Sequence, residues 1–357
     1  MSNVVVAMSG GVDSSVAAAL LKQQGHTVTG VMLRLWSEPG KEDSNRCCTP
    51  DAQAQARRVA ARLEIPFYVV DAKEIFRATV VNAFLEGYTR GETPNPCLSC
   101  NRHIRWEFLF EHARALGAEY MATGHYVRLK KNAAGWIDLL KGIDPAKDQS
   151  YVLHVLTQEK LAQALFPVGD YPKAEIRALA EQFGLSVARR PDSQDLCFLA
   201  GEDYRGFLQR HAPQASQPGE IVNRAGQVLG KHTGLANYTI GQRKGLGLAS
   251  AQPLYVLGKD AARNVLLVGA VEELGASDLL ADGINWTCGE VPPAPFRALI
   301  KSRYTAREVP GLVTPLENGR RAAVRFDAPQ RDLTPGQAAV FYDGERVLGG
   351  GIAIESK

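Results

Sequence analysis

The residues able to do chemistry sit in a few short runs. The first is Ser9-Gly10-Gly11-Val12-Asp13-Ser14-Ser15, between the apolar "NVVVAM" and the helix-like "SSVAAALLKQQG". A glycine turn joining a strand to a helix gathers backbone N–H groups and the positive helix end around one point, which suits an anion. Gly10 and Gly11 let the backbone approach a ligand, and Ser9, Ser14 and Ser15 add hydroxyl donors. The turn carries an acid, Asp13, and no lysine, so it is neither GxxxxGK[ST] nor GxGxxG. The second group is thiols. Cys97 and Cys100 make a C-x-x-C pair in the Pro/Asn loop "TPNPCLSC", and Cys197 lies in "PDSQDLCFL". A thiolate is a nucleophile and a metal ligand. Two further cysteines at close spacing are missing, so a closed zinc site is not expected. Cys97, Cys100 and Cys197 holding an iron–sulfur cluster is the less favoured alternative to thiol chemistry. Cys288 is read as core, where free cysteines usually lie. Cys47 and Cys48 precede a helix and are given no catalytic role.

These residues need a scaffold. The chain has 357 residues, 45% hydrophobic and 22% charged, which predicts a globular protein of two or three domains. Its net charge of +3 makes no case for nucleic acid by itself. The opening apolar run is too short for a leader and no stretch suits a membrane span, so a reducing cytoplasm and a monomer are expected. From residue 1 to about 185 short strands alternate with helices, among them "TPDAQAQARRVAARLE", with Thr49 as cap and Pro50 in its first turn. That alternation predicts an α/β unit with a doubly wound, mostly parallel sheet, and ligands bind beyond the carboxyl ends of such strands. A small mostly-β middle domain and a C-terminal β-barrel should follow, giving boundaries at 1–204, 205–274 and 275–357. "GKDAARNVLLVG" and Asp343-Gly344 read as hairpins, and "VPPAPF" as a boundary marker. Between residues 201 and 270 eight basic residues face four acids, with the excess near "GQRKGLG", a reasonable phosphate contact.

The first turn resembles the SGGxDS signature of the ATP pyrophosphatases, and "TGHY" (Thr123 to Tyr126) resembles a second element of that superfamily. The resemblance implies ATP held by Ala7, Met8, Ser9, Gly10, Gly11, Val12, Asp13 and Ser14, with Met32 at the adenine and Gly124 near the nucleotide. It implies cleavage between the α and β phosphates, with AMP passed to an oxygen of a second substrate. Asp13 would hold Mg2+ or order the loop. Read without the resemblance, Met32 is a core residue.

"TPNPCLSCNRHIRW", "PDSQDLCFLAGEDYRGFL" and "YTIGQRKGLG", with "KDQSYVL", "LFPVG" and "SRY", resemble the bacterial tRNA-specific 2-thiouridylases nearly end to end. That family thiolates the wobble uridine of tRNAs for Lys, Glu and Gln. By resemblance Cys197 receives a sulfane sulfur as a persulfide, from a relay protein or directly from a cysteine desulfurase. Cys100 is the second catalytic cysteine and ends paired with Cys197 as a disulfide. Either the persulfide or released hydrosulfide attacks. Asn95, Pro96 and Cys97 would lie against the target base, and Lys147, Asp148, Gln149, Arg303 and Tyr304 would touch tRNA. Arg105-Trp106 stands where the family usually has Lys-Phe, and Gln55 where an Asp is common. Two other classes share part of the pattern: an amide-forming ligase with the same turn and no need of the thiols, and a non-catalytic RNA-binding module.

Overall fold

Val4, Val5 and Val6 are all buried, and they face two different cores. Val4 and Val6 pack into one apolar cluster and Val5 into another, as alternate side chains of a strand covered on both faces must. They belong to a computed structural model that describes every residue except 42–48, 192–195, 332 and 357; Cys47 and Cys48 fall outside it.

β1 (Asn3–Ala7), α1 (Val12–Gln23), β2 (Thr27–Arg34), α2 (Pro50–Arg62) and β3 (Phe67–Asp71) alternate as the sequence predicts. Thr49 caps α2, its Oγ1 accepting from Ala52 N at 3.0 Å. One helical stretch then runs from α3 (Lys73–Phe76) through a π-wound segment, Arg77–Val81, into α4 (Asn82–Thr89). A second runs from α5 (Pro96–Ser99) through the π-wound Cys100–Leu109 into α6 (Phe110–Ala115). Next come β4 (Tyr120–Ala122), the antiparallel pair β5 (Val127–Lys131) and β6 (Ile137–Lys141), α7 (Ser150–Leu153), α8 (Gln158–Ala162), β7 (Ala164–Leu165), α9 (Lys173–Gln182) and α10 (Tyr204–His211). The first sheet has the order β3-β2-β1-β4-β7, and every pairing in it is parallel. Its order reverses at β1, so the crevice beyond β1 and β4 is the topological switch point. The Ser9–Ser15 turn and "TGHY" leave those two strands.

The middle of the chain forms a four-stranded sheet from β8 (Gly219–Val222), β9 (Val228–His232), β10 (Tyr255–Asp260) and β11 (Val265–Gly269). Its β10–β11 pair is the expected hairpin. Six strands follow: β12 (Ala276–Asn285), β13 (Phe296–Lys301), β14 (Val309–Leu316), β15 (Arg321–Gln330), β16 (Ala338–Asp343) and β17 (Arg346–Ser356). They close into a barrel through β12–β17, and Asp343-Gly344 turns β16 into β17. "VPPAPF" marks no boundary: its prolines break the ladder between β12 and β13, inside the barrel. The barrel is not separate from the first sheet's surroundings. β17 pairs with β6, and one apolar cluster holds Val5, Trp106 and Tyr151 together with Ala338, Val340 and Tyr342. No helix among the described residues is long and apolar enough to cross a membrane.

Candidate active site

The turn after β1 is built so that its backbone faces outward. Gly10 has φ +74°, and a Cβ there would lie 2.3 Å from the Ala52 carbonyl oxygen at the start of α2. Only glycine fits that conformation and that approach. Ser14 seals the loop: its Oγ accepts from Ser9 N at 3.1 Å and meets Ser9 Oγ at 3.2 Å. Ser15 Oγ donates to Gly11 O at 2.8 Å. Gly11 caps α1 without a side-chain bond, leaving the first N–H groups of the helix for an anion. Gly124 closes the other side: a Cβ there would lie 2.6 Å from Ser14 N, so "TGHY" packs directly on the backbone of the turn. Val12 and Met8 are buried beneath it, and Ala7 is half-buried. The Met32 side chain lies in the same core, 2% exposed.

The cations come from elsewhere. Asp13 Oδ1 accepts from Tyr126 Oη at 2.6 Å, and Lys173 Nζ reaches its two oxygens at 2.7 and 2.8 Å. Lys173 opens α9, its own N–H held by Asp144 Oδ2 at 3.0 Å. On the far side of the turn Arg190 Nη1 donates to Gly10 O at 3.3 Å, and its Nη2 pairs with Asp51 at 3.2 Å. A lysine and an arginine, neither part of any motif read from the sequence, thus flank the glycine turn.

The thiols occupy the same edge of the sheet. Asn95 caps α5, its Oδ1 accepting from Cys97 N at 3.1 Å, and Asn101 Nδ2 donates to Cys97 O at 3.0 Å. Pro96 is buried, Cys97 exposed and Cys100 buried. Cys100 begins the ten-residue π-wound segment, a winding that is rare and frequent at functional sites. Cys197 opens a short 3-10 turn and is half-buried. Cys100 and Cys197 both pack on one cluster with Phe76, Phe84, Ile104 and Phe198. That cluster includes Leu35 and Ala72, which leave the ends of β2 and β3. Parallel strands have all their carboxyl ends at one edge, so the two thiols and the glycine turn share that edge. Among the described residues no group of three or more His, Cys, Asp and Glu side chains is disposed to hold a metal ion. Cys288, expected in the core, is half-buried at the turn after β12, with its Sγ donating to Glu290 O at 3.2 Å.

A charged clasp that sequence reasoning missed holds this region. Buried Glu38 accepts from Arg210 at 3.0 and 2.7 Å, from Lys41 at 2.9 Å and meets His211 Nε2 at 2.7 Å. The Arg210 guanidinium, foremost, holds the Glu38 carboxyl down at about 2. The clasp joins the chain leaving β2 to α10, the helix that follows Cys197. Its signal was invisible in one dimension, because Glu38 and Arg210 are 172 residues apart.

Of the residues expected at RNA, Tyr304 comes near Cys97. Thr93 N donates to Pro335 O at 2.9 Å and Gln337 Nε2 to Thr93 O at 2.7 Å, seating the loop before Asn95 on the barrel. Burial pushes the Tyr304 phenol up, and the nearby charges of Asp148 and Cys97 add to it, so Tyr304 stands by both. Lys301 Nζ lies 5.8 Å from the Tyr304 ring centre, and Arg303 bonds Thr334 Oγ1. Asp148 is buried and turned inward, accepting from Gly142 N, Ser150 N and Ser150 Oγ at 3.1, 3.1 and 2.8 Å. Gln149 likewise holds Tyr126, its Oε1 accepting from Tyr126 N at 3.0 Å, while Lys147 is half-buried. Arg303 also lines, with Arg331, Gln242 and Thr239, a cleft of about 490 Å³ between the middle sheet and the barrel.

Three family models match in succession: a tRNA methyl transferase HUP domain over residues 2–201, a tRNA methyl transferase PRC-barrel domain over 205–270 and an aminomethyltransferase beta-barrel domain over 276–353. The chain is 48% identical over 369 residues to the tRNA-specific 2-thiouridylase MnmA of Roseiflexus castenholzii, spanning 98% of this chain and 99% of that protein. It is 50% identical over 354 residues to the protein of the same name from Geotalea uraniireducens, spanning 98% and 94%.

Proposed function

The chain belongs to the family of the tRNA-specific 2-thiouridylases, and on that premise we propose that it replaces the C2 oxygen of the wobble uridine by sulfur in tRNAs for Lys, Glu and Gln. The observation that carries this reading is the convergence of Cys100 and Cys197 on one apolar patch at the edge that bears the glycine turn. The words methyl transferase in the family descriptions name another transfer. A methyl donor brings its own leaving group and needs neither a phosphate turn nor two thiols.

The C2 carbonyl of uracil is a poor electrophile, so it must first be activated. The turn Ser9–Ser14, with Ala7 and Met8 before it, binds ATP, Met32 meets the adenine through its backbone because its side chain is buried in the core, and Gly124 fixes the backbone of the turn. The uracil O2 attacks the α phosphorus and pyrophosphate leaves. Lys173 and Arg190 stand where they can neutralise that charge. A single carboxylate beside a phosphate turn is the donor set magnesium takes with nucleotides, so Asp13 would hold that ion, which supplies further neutralisation. Sulfur then attacks C2 and AMP departs. If the Cys197 persulfide attacks through its terminal sulfur, the Cys100 thiolate next attacks Cys197 Sγ. The S–S bond breaks, the sulfur stays on C2, and a Cys100–Cys197 disulfide remains for an external thiol reductant. If Cys100 attacks first, the same disulfide forms and hydrosulfide is the nucleophile. Asn95, Pro96 and Cys97 line the flipped base, which must leave the anticodon stack to be reached. Lys147, Arg303 and Tyr304 hold the RNA, while Asp148 and Gln149 serve it by shaping the loops around them. A monomer working in the cytoplasm, charged by a relay protein or a desulfurase, fits this chemistry.

The test is direct. The protein is incubated with ATP, magnesium, a persulfide source and unmodified tRNA, and the nucleosides are analysed by mass. One uridine should exchange an oxygen for a sulfur only when ATP is present. No thiolated nucleoside, or thiolation without ATP, would contradict the reading.

A further inference from the structure

One short loop, residues 144–149, holds both partners of Asp13. Lys173 Nζ reaches the Asp13 carboxylate at 2.7 and 2.8 Å, and Tyr126 Oη donates to it at 2.6 Å. Neither side chain is placed by its own neighbours in sequence. Lys173 is the first residue of α9, and Pro172 before it offers no side-chain acceptor to cap the helix. Asp144 supplies that cap from 29 residues upstream, its Oδ2 accepting from Lys173 N at 3.0 Å. A carboxylate there also suits the positive end of the helix. Asp144 closes its own turn as well: Oδ1 accepts from Ala146 N at 3.0 Å, and the carbonyl from Lys147 N at 3.0 Å. At the other end of the loop Gln149 holds Tyr126 twice. Its Oε1 accepts from Tyr126 N at 3.0 Å, and its N–H donates to Tyr126 O at 3.1 Å. The loop is pinned on both flanks, because Asp148 Oδ1 accepts from Gly142 N and Ser150 N, each at 3.1 Å.

We infer that Asp144 is a positioning residue for the ATP step: it fixes where α9 begins, and so where the Lys173 ammonium meets the glycine turn. The inference rests on the proposed binding of ATP at that turn. A lysine carries its charge on a flexible four-carbon arm, so its reach is set by the backbone from which the arm starts. A helix whose first N–H groups lack acceptors frays at that end. Lys173 then loses its fixed origin, although none of its side-chain contacts has been altered. Both Asp144 oxygens act as acceptors, which makes the isosteric asparagine a sharp probe. In Asp144→Asn one oxygen becomes an NH2 group, a donor, so Lys173 N and Ala146 N can no longer both be served.

The experiment is a double-mutant cycle in nucleotide affinity, read by calorimetric titration of a non-hydrolysable ATP analogue into the full chain. Asp144→Asn alone should weaken binding by about fivefold, the ordinary worth of one helix cap. On a Lys173→Met background the same change should weaken it by less than about twofold, because a residue that acts through Lys173 has nothing left to place. A loss of general structure would carry over in full to that background. Asp144→Glu, which keeps both acceptors on a longer arm, goes through the same cycle if the asparagine variant does not fold, with the same pattern expected. A single variant that binds as the parent does, or an undiminished loss on the Lys173→Met background, would overturn the inference. If the parent fails to bind the analogue at all, the ATP reading itself falls, and this inference with it.

Discussion

A single lysine is bound to the acid of the glycine turn. The turn has no lysine of its own, and Lys173 supplies one from 160 residues away, nearly buried and held between Asp13 and the Tyr126 ring, whose centre is 5.7 Å off. A hydrogen bond to a charged group is worth about 1.5–3 kcal/mol, so Lys173→Met should weaken ATP binding by about 10- to 100-fold. Affinity for tRNA should not change, because Lys173 is not among the residues proposed to hold the RNA. Calorimetric titration of both ligands checks this, and an ATP affinity equal to the parent's would remove Lys173 from the site. The glycines and Asp13 were legible in the sequence because they adjoin one another between a strand and a helix. Lys173, Arg190 and Glu38 were not, since each meets its partner only after the parallel sheet has brought distant strand ends together.

Elements carry the response to acid. His125, between β4 and β5, and His154, after α7, are buried, and burial pushes them down to about 3 and about 4, with Arg105 and Arg102 respectively adding to the effect. Both values lie below the ordinary 6.5, so the fold favours neutral rings. Stability is full above pH 6.5 and is lost as the pH falls towards 4 and 3, because the unfolded chain takes up the protons. Glu38 adds a second window, its contribution being present above the ordinary 4.5 and lost as the pH falls to about 2. The urea midpoint should therefore decline from pH 6.5 downward and more steeply below 4.5. A midpoint constant between pH 6.5 and 5 would contradict the burial of the histidines. At this scale the sequence was legible where one period dominates: the strand–helix alternation, the Thr49 cap and the two hairpins. The π-wound Cys100–Leu109 segment was not, because an apolar stripe reads as ordinary helix whichever way the backbone winds. "VPPAPF" misled because prolines interrupt a barrel as readily as they mark a linker.

Across the whole molecule, the barrel is joined to the surroundings of the first sheet. Thr93 is bonded to Pro335 and Gln337, and the β5–β6 hairpin runs on into β17. Such joints span hundreds of residues and leave no local pattern, which is why the fold class was legible and the docking was not. RNA held across this joint should feel the barrel's cations. Arg303→Met should weaken tRNA binding and reduce the slope of log affinity against log salt by about one; an unchanged slope would take Arg303 off the phosphates. The most direct test of the whole account separates activation from sulfur transfer in a protein carrying both Cys100→Ser and Cys197→Ser. Given ATP, magnesium, a persulfide source and unmodified tRNA, it should still release pyrophosphate only when tRNA is present, and should form no 2-thiouridine. Thiolation by that double variant would contradict the claim that these two thiols deliver the sulfur.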